Sequence, residues 1–221
     1  CFPEGSLFVA GKSGTGAIDD NRRIAEFIYR NLHLITRTTA TLDTHFAYQI
    51  FFPSFWLGEN GKPINPHTSD ITVDTIRSGK YQPDPAMASW LCKGNYPWLL
   101  KQVEYYCDQL EKAGKYQLYI WPFHCELGSA GHALAGVIQE ALSFHSFARV
   151  AQSWREVKGG EPLSENYSVL SPEVLGRFDG EPFISKNTRF FETLVQADVV
   201  VVAGQAASHC GKSSVDALLS Q

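Results

Sequence analysis

Residues 198–210 constrain this chain more than any other stretch: Asp198-Val-Val-Val-Val-Ala-Gly-Gln-Ala-Ala-Ser-His-Cys210, with a helical run after them. A short β-branched apolar run, then small residues, then a helix reads as strand, tight turn and helix. Cys210 falls where that helix opens, and there the unpaired amides and the macrodipole favour a thiolate. Gly204, Ala206 and Ala207 are small enough to let a substrate carbonyl approach backbone N–H groups. The plainer reading of a cysteine after a strand is a buried structural side chain. The company this segment keeps weighs against it.

Three other chemically loaded segments also follow expected strands. Residues 34–42, rich in Thr and Ile, end in Asp43-Thr-His45; residues 116–120 run into Trp121-Pro-Phe-His124-Cys125; residues 151–157 run into Lys158-Gly-Gly160. Open α/β sheets bind ligands beyond the carboxyl ends of their strands. An Asp, two His, a Lys and a Cys at four such ends therefore point to one site.

The rest of the pattern supports that sheet. Apolar spacing predicts helices over 17–32, 98–113, 131–149 and 187–197, alternating with the four strands. Residues 52–97 carry Asn60-Gly61 and prolines 63, 66, 83 and 85, and read as a long irregular excursion with short regular pieces. The expected fold is a three-layer α/β/α domain with a mainly parallel sheet, one domain over 1–221 with an insertion at about 52–115. The chain opens on Cys1 inside a loop and stops about three helical turns after Cys210. A fragment, incomplete at both termini, is expected.

Composition narrows the function classes. A net charge of -4 with no Lys/Arg cluster argues against nucleic acid. No apolar run approaches the ~20 residues of a membrane span, and no signal peptide is visible. Five scattered cysteines without a CxxC pair indicate neither a disulfide framework nor a zinc ribbon, so a reducing, cytoplasmic setting is expected. Expected partners are a small molecule and, as a possible assembly, further copies of the chain.

Each candidate residue also has an ordinary reading. Asp43 and His45 lie two apart on an extended segment and so share a side. With His124 they make a two-His, one-carboxylate set suited to Zn, Fe or Mn; alone, they read as a capping Asp beside a surface His. Trp121 is either core or a platform for a flat substrate. Lys158 is either a solvated loop lysine or the cation that lowers the Cys210 pKa. His209 adjoins Cys210, but neighbours on a turn often point apart, which disfavours a Cys/His dyad. Cys125 reads as structural.

The segment Phe2-Pro-Glu-Gly-Ser-Leu7, Asp43-x-His45, Trp121-Pro-x-His-Cys125, the Lys158-Gly pair and Gly204-x-Ala-x-x-His-Cys210 stand in an order that resembles the isochorismatase-like cysteine hydrolases, and within them the nicotinamidase/pyrazinamidase branch. The resemblance implies Cys210 as nucleophile, Lys158 as its charged partner, and Asp43, His45 and His124 as ligands of Zn2+ (or Fe2+ or Mn2+). It implies a cis peptide between Gln205 and Ala206, with the amides of Ala206 and Cys210 forming an oxyanion hole. Trp121 would flank the ring of a heteroaromatic carboxamide, hydrolysed to acid and ammonia through a Cys thioester in NAD salvage. Two departures stand out: the family's catalytic Asp belongs to a strand before the opening loop, and the segment between His45 and Trp121 is long. A metal-free isochorismatase-type hydrolase of a vinyl ether and a non-catalytic binding member are the rival readings.

Overall fold

A computed structural model describes residues 2–114 and 116–220, so Cys1 of the opening loop and Lys115 at the expected end of the insertion lie outside the described residues. Along the chain, α1 (Gly16–Arg30) precedes β1 (Thr39–Asp43). The excursion holds β2 (Trp56–Gly58), α2 (Val73–Arg77), β3 (Tyr81–Pro83) and α3 (Pro85–Leu91), and leads into α4 (Tyr96–Ala113). Then come α5 (Gly136–Arg149), β4 (Trp154–Lys158), α6 (Thr188–Leu194) and α7 (Cys210–Leu219).

Local chemistry accounts for the helix ends. The Asn95 side chain accepts from Trp98 N at the start of α4, Pro97 sits where an amide would be orphaned, and Gly114 ends the helix in the left-handed region. Asp84 and Asn187 cap α3 and α6 in the same way.

β1 and β4 pair in parallel, with Asp43 opposite Lys158. Paired residues of a parallel ladder project to the same face. On one face Ala40 meets α1 and α5, which pack through Ala25, Ile28, Ala141 and Leu142, and Arg155 reaches Gln139 of α5. On the other, Glu156 accepts from Asn187 at the foot of α6, which packs through Phe190, Phe191 and Leu194 against Ala217 and Leu218 of α7. Helix, parallel sheet and helix form the expected three layers.

Several elements differ from expectation. The excursion holds only short regular pieces, as expected, but it is packed rather than loose: Phe52, Phe55 and Trp56 are fully buried with Leu99, Val103, Tyr106 and Leu110 of α4 in the largest core cluster. Each such side chain contributes about 1.5–3 kcal/mol by leaving water, which outweighs the Pro/Gly-rich composition. Among the described residues, 116–120 join no ladder; Leu118 bridges Ile71, and Ile120 N donates to Thr68 O, because this segment is claimed by the excursion. β1 starts five residues late, since residues 31–35 fold into turns on Asn31 O. α5 likewise starts late, at Gly136.

Residues 199–203 carry no regular secondary structure and pair with no strand among the described residues, and Val199 and Val201 are 77% and 62% exposed. β-propensity describes fitness for a half-buried pleated surface and does not by itself supply a neighbour.

Candidate active site

The site forms where β1 ends. Thr44 N donates to Lys158 O on one side, and on the other His45 N donates to Cys125 O while Leu127 N donates to His45 O. The tail of β1 is thereby held between β4 and residues 122–127, which brings Asp43, His45, His124 and Lys158 together. Alternation along β1 puts Asp43 on the Lys158 face.

Lys158 is the hub. Its side chain is 5% exposed and its Nζ donates to Asp43 Oδ1, to Asn166 O at 2.8 Å and to Cys210 Sγ at 3.6 Å. Burial opposes its charge, yet Asp43 and Cys210 together raise its pKa, so it stays an ammonium. Burial also acts against ionised Asp43, but Lys158 overrides it and lowers its pKa. For Cys210 the balance goes the other way. Burial raises the thiol pKa and Asp43 adds to this, while Lys158 and the residue's own amide only partly offset them. The preformed thiolate expected from a helix start is corrected to a neutral thiol poised beside a cation.

Cys210 is the first residue of α7, and His209 before it makes no side-chain cap. The Gln205–Ala206 peptide is cis. Ala206 O accepts from His209 N and Gly211 N, and a side chain at Gly211 would stand 3.0 Å from that oxygen. Gln205 Nε2 donates to Ala17 O, Asp20 Oδ2 and Asn21 Oδ1 in the first turns of α1. The turn before the cysteine is thus tied to the opposite helix layer. Among the described residues, the amide of Ala206 donates to no protein acceptor.

His45 and His124 stand edge to face with centroids 4.7 Å apart. His45 Nδ1 meets Gly159 O at 3.1 Å and His124 Nδ1 meets Pro122 O at 2.7 Å. A carbonyl partner requires the proton on Nδ1 and leaves Nε2 as the lone-pair atom. Burial lowers both pKa values, that of His45 to about 4, so both rings are neutral near pH 7. Phe51 and Phe52, at the start of the excursion, pack edge-on against His45 at 4.9 and 5.8 Å. Among the described residues no three His, Cys, Asp or Glu stand as a ready ligand set. The two imidazoles suit a divalent metal, and the third donor, Asp43, is turned to Lys158.

Trp121 lies 6.3 Å from His124 and 5.6 Å from His209, and Tyr167 lies 5.6 Å from His209, so these rings form a wall from the imidazole pair to the start of α7. His209 Nδ1 contacts Ser208 Oγ rather than Cys210. Cys125 has φ +49° and a thiol pushed up to about 11, first by burial. Tyr167 and the buried Glu165 behind Trp121 were not visible as site residues; nothing in a Pro/Gly-rich loop marks one aromatic or one acid over another. Gly159 carried a signal as the residue after Lys158. Its φ is +86° and a Cβ there would lie 2.7 Å from His45 Cε1.

No protein-family model matches the chain, and no curated protein matches it in sequence. Solved structures do. The yeast nicotinamidase Pnc1p superimposes with a TM-score of 0.53 at 16% identity, over 96% of this chain and 72% of that one. The chain has the nicotinamidase fold. A nicotinamidase/pyrazinamidase from Acinetobacter gives 0.52 at 16% identity over 96% and 72%, and Pnc1p bound to the inhibitor nicotinaldehyde gives 0.51 at 15% over 95% and 75%. At this identity the likeness carries the fold; the activity rests on the residues.

Proposed function

We propose that this chain is a cysteine hydrolase of nicotinamidase type, converting a small heteroaromatic carboxamide to acid and ammonia. The observation that carries the reading is the buried Lys158 ammonium bonded to both Asp43 and the Cys210 sulfur, at a helix start preceded by the cis Gln205–Ala206 turn. Cys210 Sγ attacks the carboxamide carbon as its proton leaves toward the Asp43–Lys158 pair. The amides of Ala206 and Cys210 bind the oxygen that becomes negative; one such donor is typically worth about 3–4 kcal/mol in the transition state. Collapse of the adduct breaks the C–N bond, the departing nitrogen takes up the proton as ammonia, and water then cleaves the thioester.

His45 and His124 would hold a zinc-like ion, which would supply Lewis acidity toward a ring nitrogen of the substrate; Asp43, the third donor that the resemblance implies, is turned to Lys158 instead. Trp121 and Tyr167 flank the ring. The Asp43–Lys158 contact supports a second assignment for Asp43, as the carboxylate that carries the proton. The reading predicts ammonia release from nicotinamide by the purified chain, abolished in Cys210→Ala, with a thioester adduct trapped by mass spectrometry. Turnover unchanged in Cys210→Ala would overturn it.

A further inference from the structure

Behind the aromatic wall sits a buried acid that the proposed reaction does not use. Glu165 is 3% exposed. Its backbone is pinned on both sides, since its N–H donates to Tyr106 Oη at 3.1 Å and its carbonyl accepts from Glu173 N at 2.9 Å. The carboxyl therefore has little freedom. The Trp121 indole N–H is shared between Glu165 Oε1 and the Tyr167 hydroxyl, each at 3.2 Å. The second carboxyl oxygen, Oε2, is buried without a well-formed hydrogen bond, and the buried Tyr116 hydroxyl stands beside the carboxyl. An acid buried among neutral donors, with no cation to pair it among the described residues, costs stability, so a purely structural interior would favour an apolar side chain there.

We propose that Glu165 is the positioning residue of this wall, fixing the planes of Trp121 and Tyr167 and thereby setting the affinity for a flat heteroaromatic carboxamide. The inference rests on the nicotinamidase reading for its ligand and on geometry for the brace. Glu165 touches neither Cys210 nor the imidazole pair; it acts through Trp121. The titratable groups facing it are Tyr106 and Cys107 from α4, Tyr116 and Tyr167, with Glu173 on its own loop. Burial, with the charge of Glu173, pushes its carboxyl up to about 7, against hydrogen bonds from Tyr167 and Trp121. The brace therefore changes charge near neutrality.

Two measurements test this. In nicotinamide hydrolysis, Glu165→Leu should raise KM about tenfold with kcat within about twofold, since about 1.4 kcal/mol of positioning is one decade. Glu165→Gln, which keeps the acceptor oxygen, should restore KM. In 1H–15N spectra of the whole chain, the Trp121 indole resonance, assigned with Trp121→Phe, should shift with a midpoint near pH 7 and lose that shift in Glu165→Gln. An unchanged KM in Glu165→Leu, or the same indole titration in Glu165→Gln, overturns the proposal. If Glu165→Leu does not fold, the Gln variant and the spectra decide alone. Absence of turnover by the wild-type chain would defeat the functional reading, while the indole titration would still test the brace.

Discussion

Gly159→Ala gives the sharpest test of how His45 is held. Two independent costs fall on this substitution. At φ +86° an L side chain occupies the left-handed region, which costs about 1–2 kcal/mol. The new methyl would also lie 2.7 Å from His45 Cε1 and 3.1 Å from its Nδ1, inside any tolerable contact. His45 is 6% exposed and packed against Phe51, Phe52 and His124, so the ring has no room to swing away; overpacking of this kind costs about 1–3 kcal/mol. Gly180 supplies the control, with φ +82° and nothing within 4 Å of its Cβ position. Gly180→Ala bears only the backbone cost. Urea unfolding of the two variants should therefore show Gly159→Ala less stable by a further ~1–3 kcal/mol. In the His45→Ala background that difference should vanish, since the two residues are in contact and their effects do not add. Equal destabilisation at both glycines would refute the packing argument and with it the account of how the imidazole is oriented.

Lys158→Met should cost about 3 kcal/mol, because it leaves Asp43 without its counter-charge; it should also slow alkylation of Cys210 by iodoacetamide near pH 8, read by mass spectrometry. Unchanged labelling would mean the ammonium does not favour the thiolate. His45 should make stability fall in mild acid: its pKa is about 4 folded and 6.5 as the free side chain, so the unfolded state binds its proton first. Its contribution is whole above pH 6.5 and declines as pH drops toward 4, by about 3 kcal/mol in all, a slope that His45→Gln should remove from denaturant titrations. Calorimetric titration with Zn2+ should show binding that weakens at least about tenfold in His45→Ala and in His124→Ala. Identical isotherms in wild type and both variants would exclude the imidazole pair as ligands.

How much of this was legible beforehand differs from one residue to the next. The helices of α1, α4, α6 and α7 follow from apolar spacing, from caps such as Asn95 and Asn187, and from Gly114, all of which act within a few residues of themselves. A parallel sheet and the order of the chemical segments were readable too, because strand-end placement puts Asp43, His45 and Lys158 where an α/β sheet keeps its ligands; that β1 pairs with β4 was not. The sequence alone also named His124, Trp121 and Cys210. What it did not determine depends on partners distant in sequence. Residues 116–120 and 198–203 have the composition of strands, but a strand exists only when a neighbour accepts its hydrogen bonds, and no local pattern reports that neighbour. The short, interrupted pieces of the excursion were legible from its prolines and glycines, which act locally, whereas the burial of Phe52, Phe55 and Trp56 against α4 is a tertiary gain. Cys210 looked like a thiolate because helix starts and lysines are visible in sequence; its burial, which acts the other way, is not. The division of Lys158 between Asp43 and Cys210, the space that only Gly159 leaves for His45, and the buried carboxyl of Glu165 behind Trp121 were decided by packing, since each is a distance between segments that the chain keeps far apart in number.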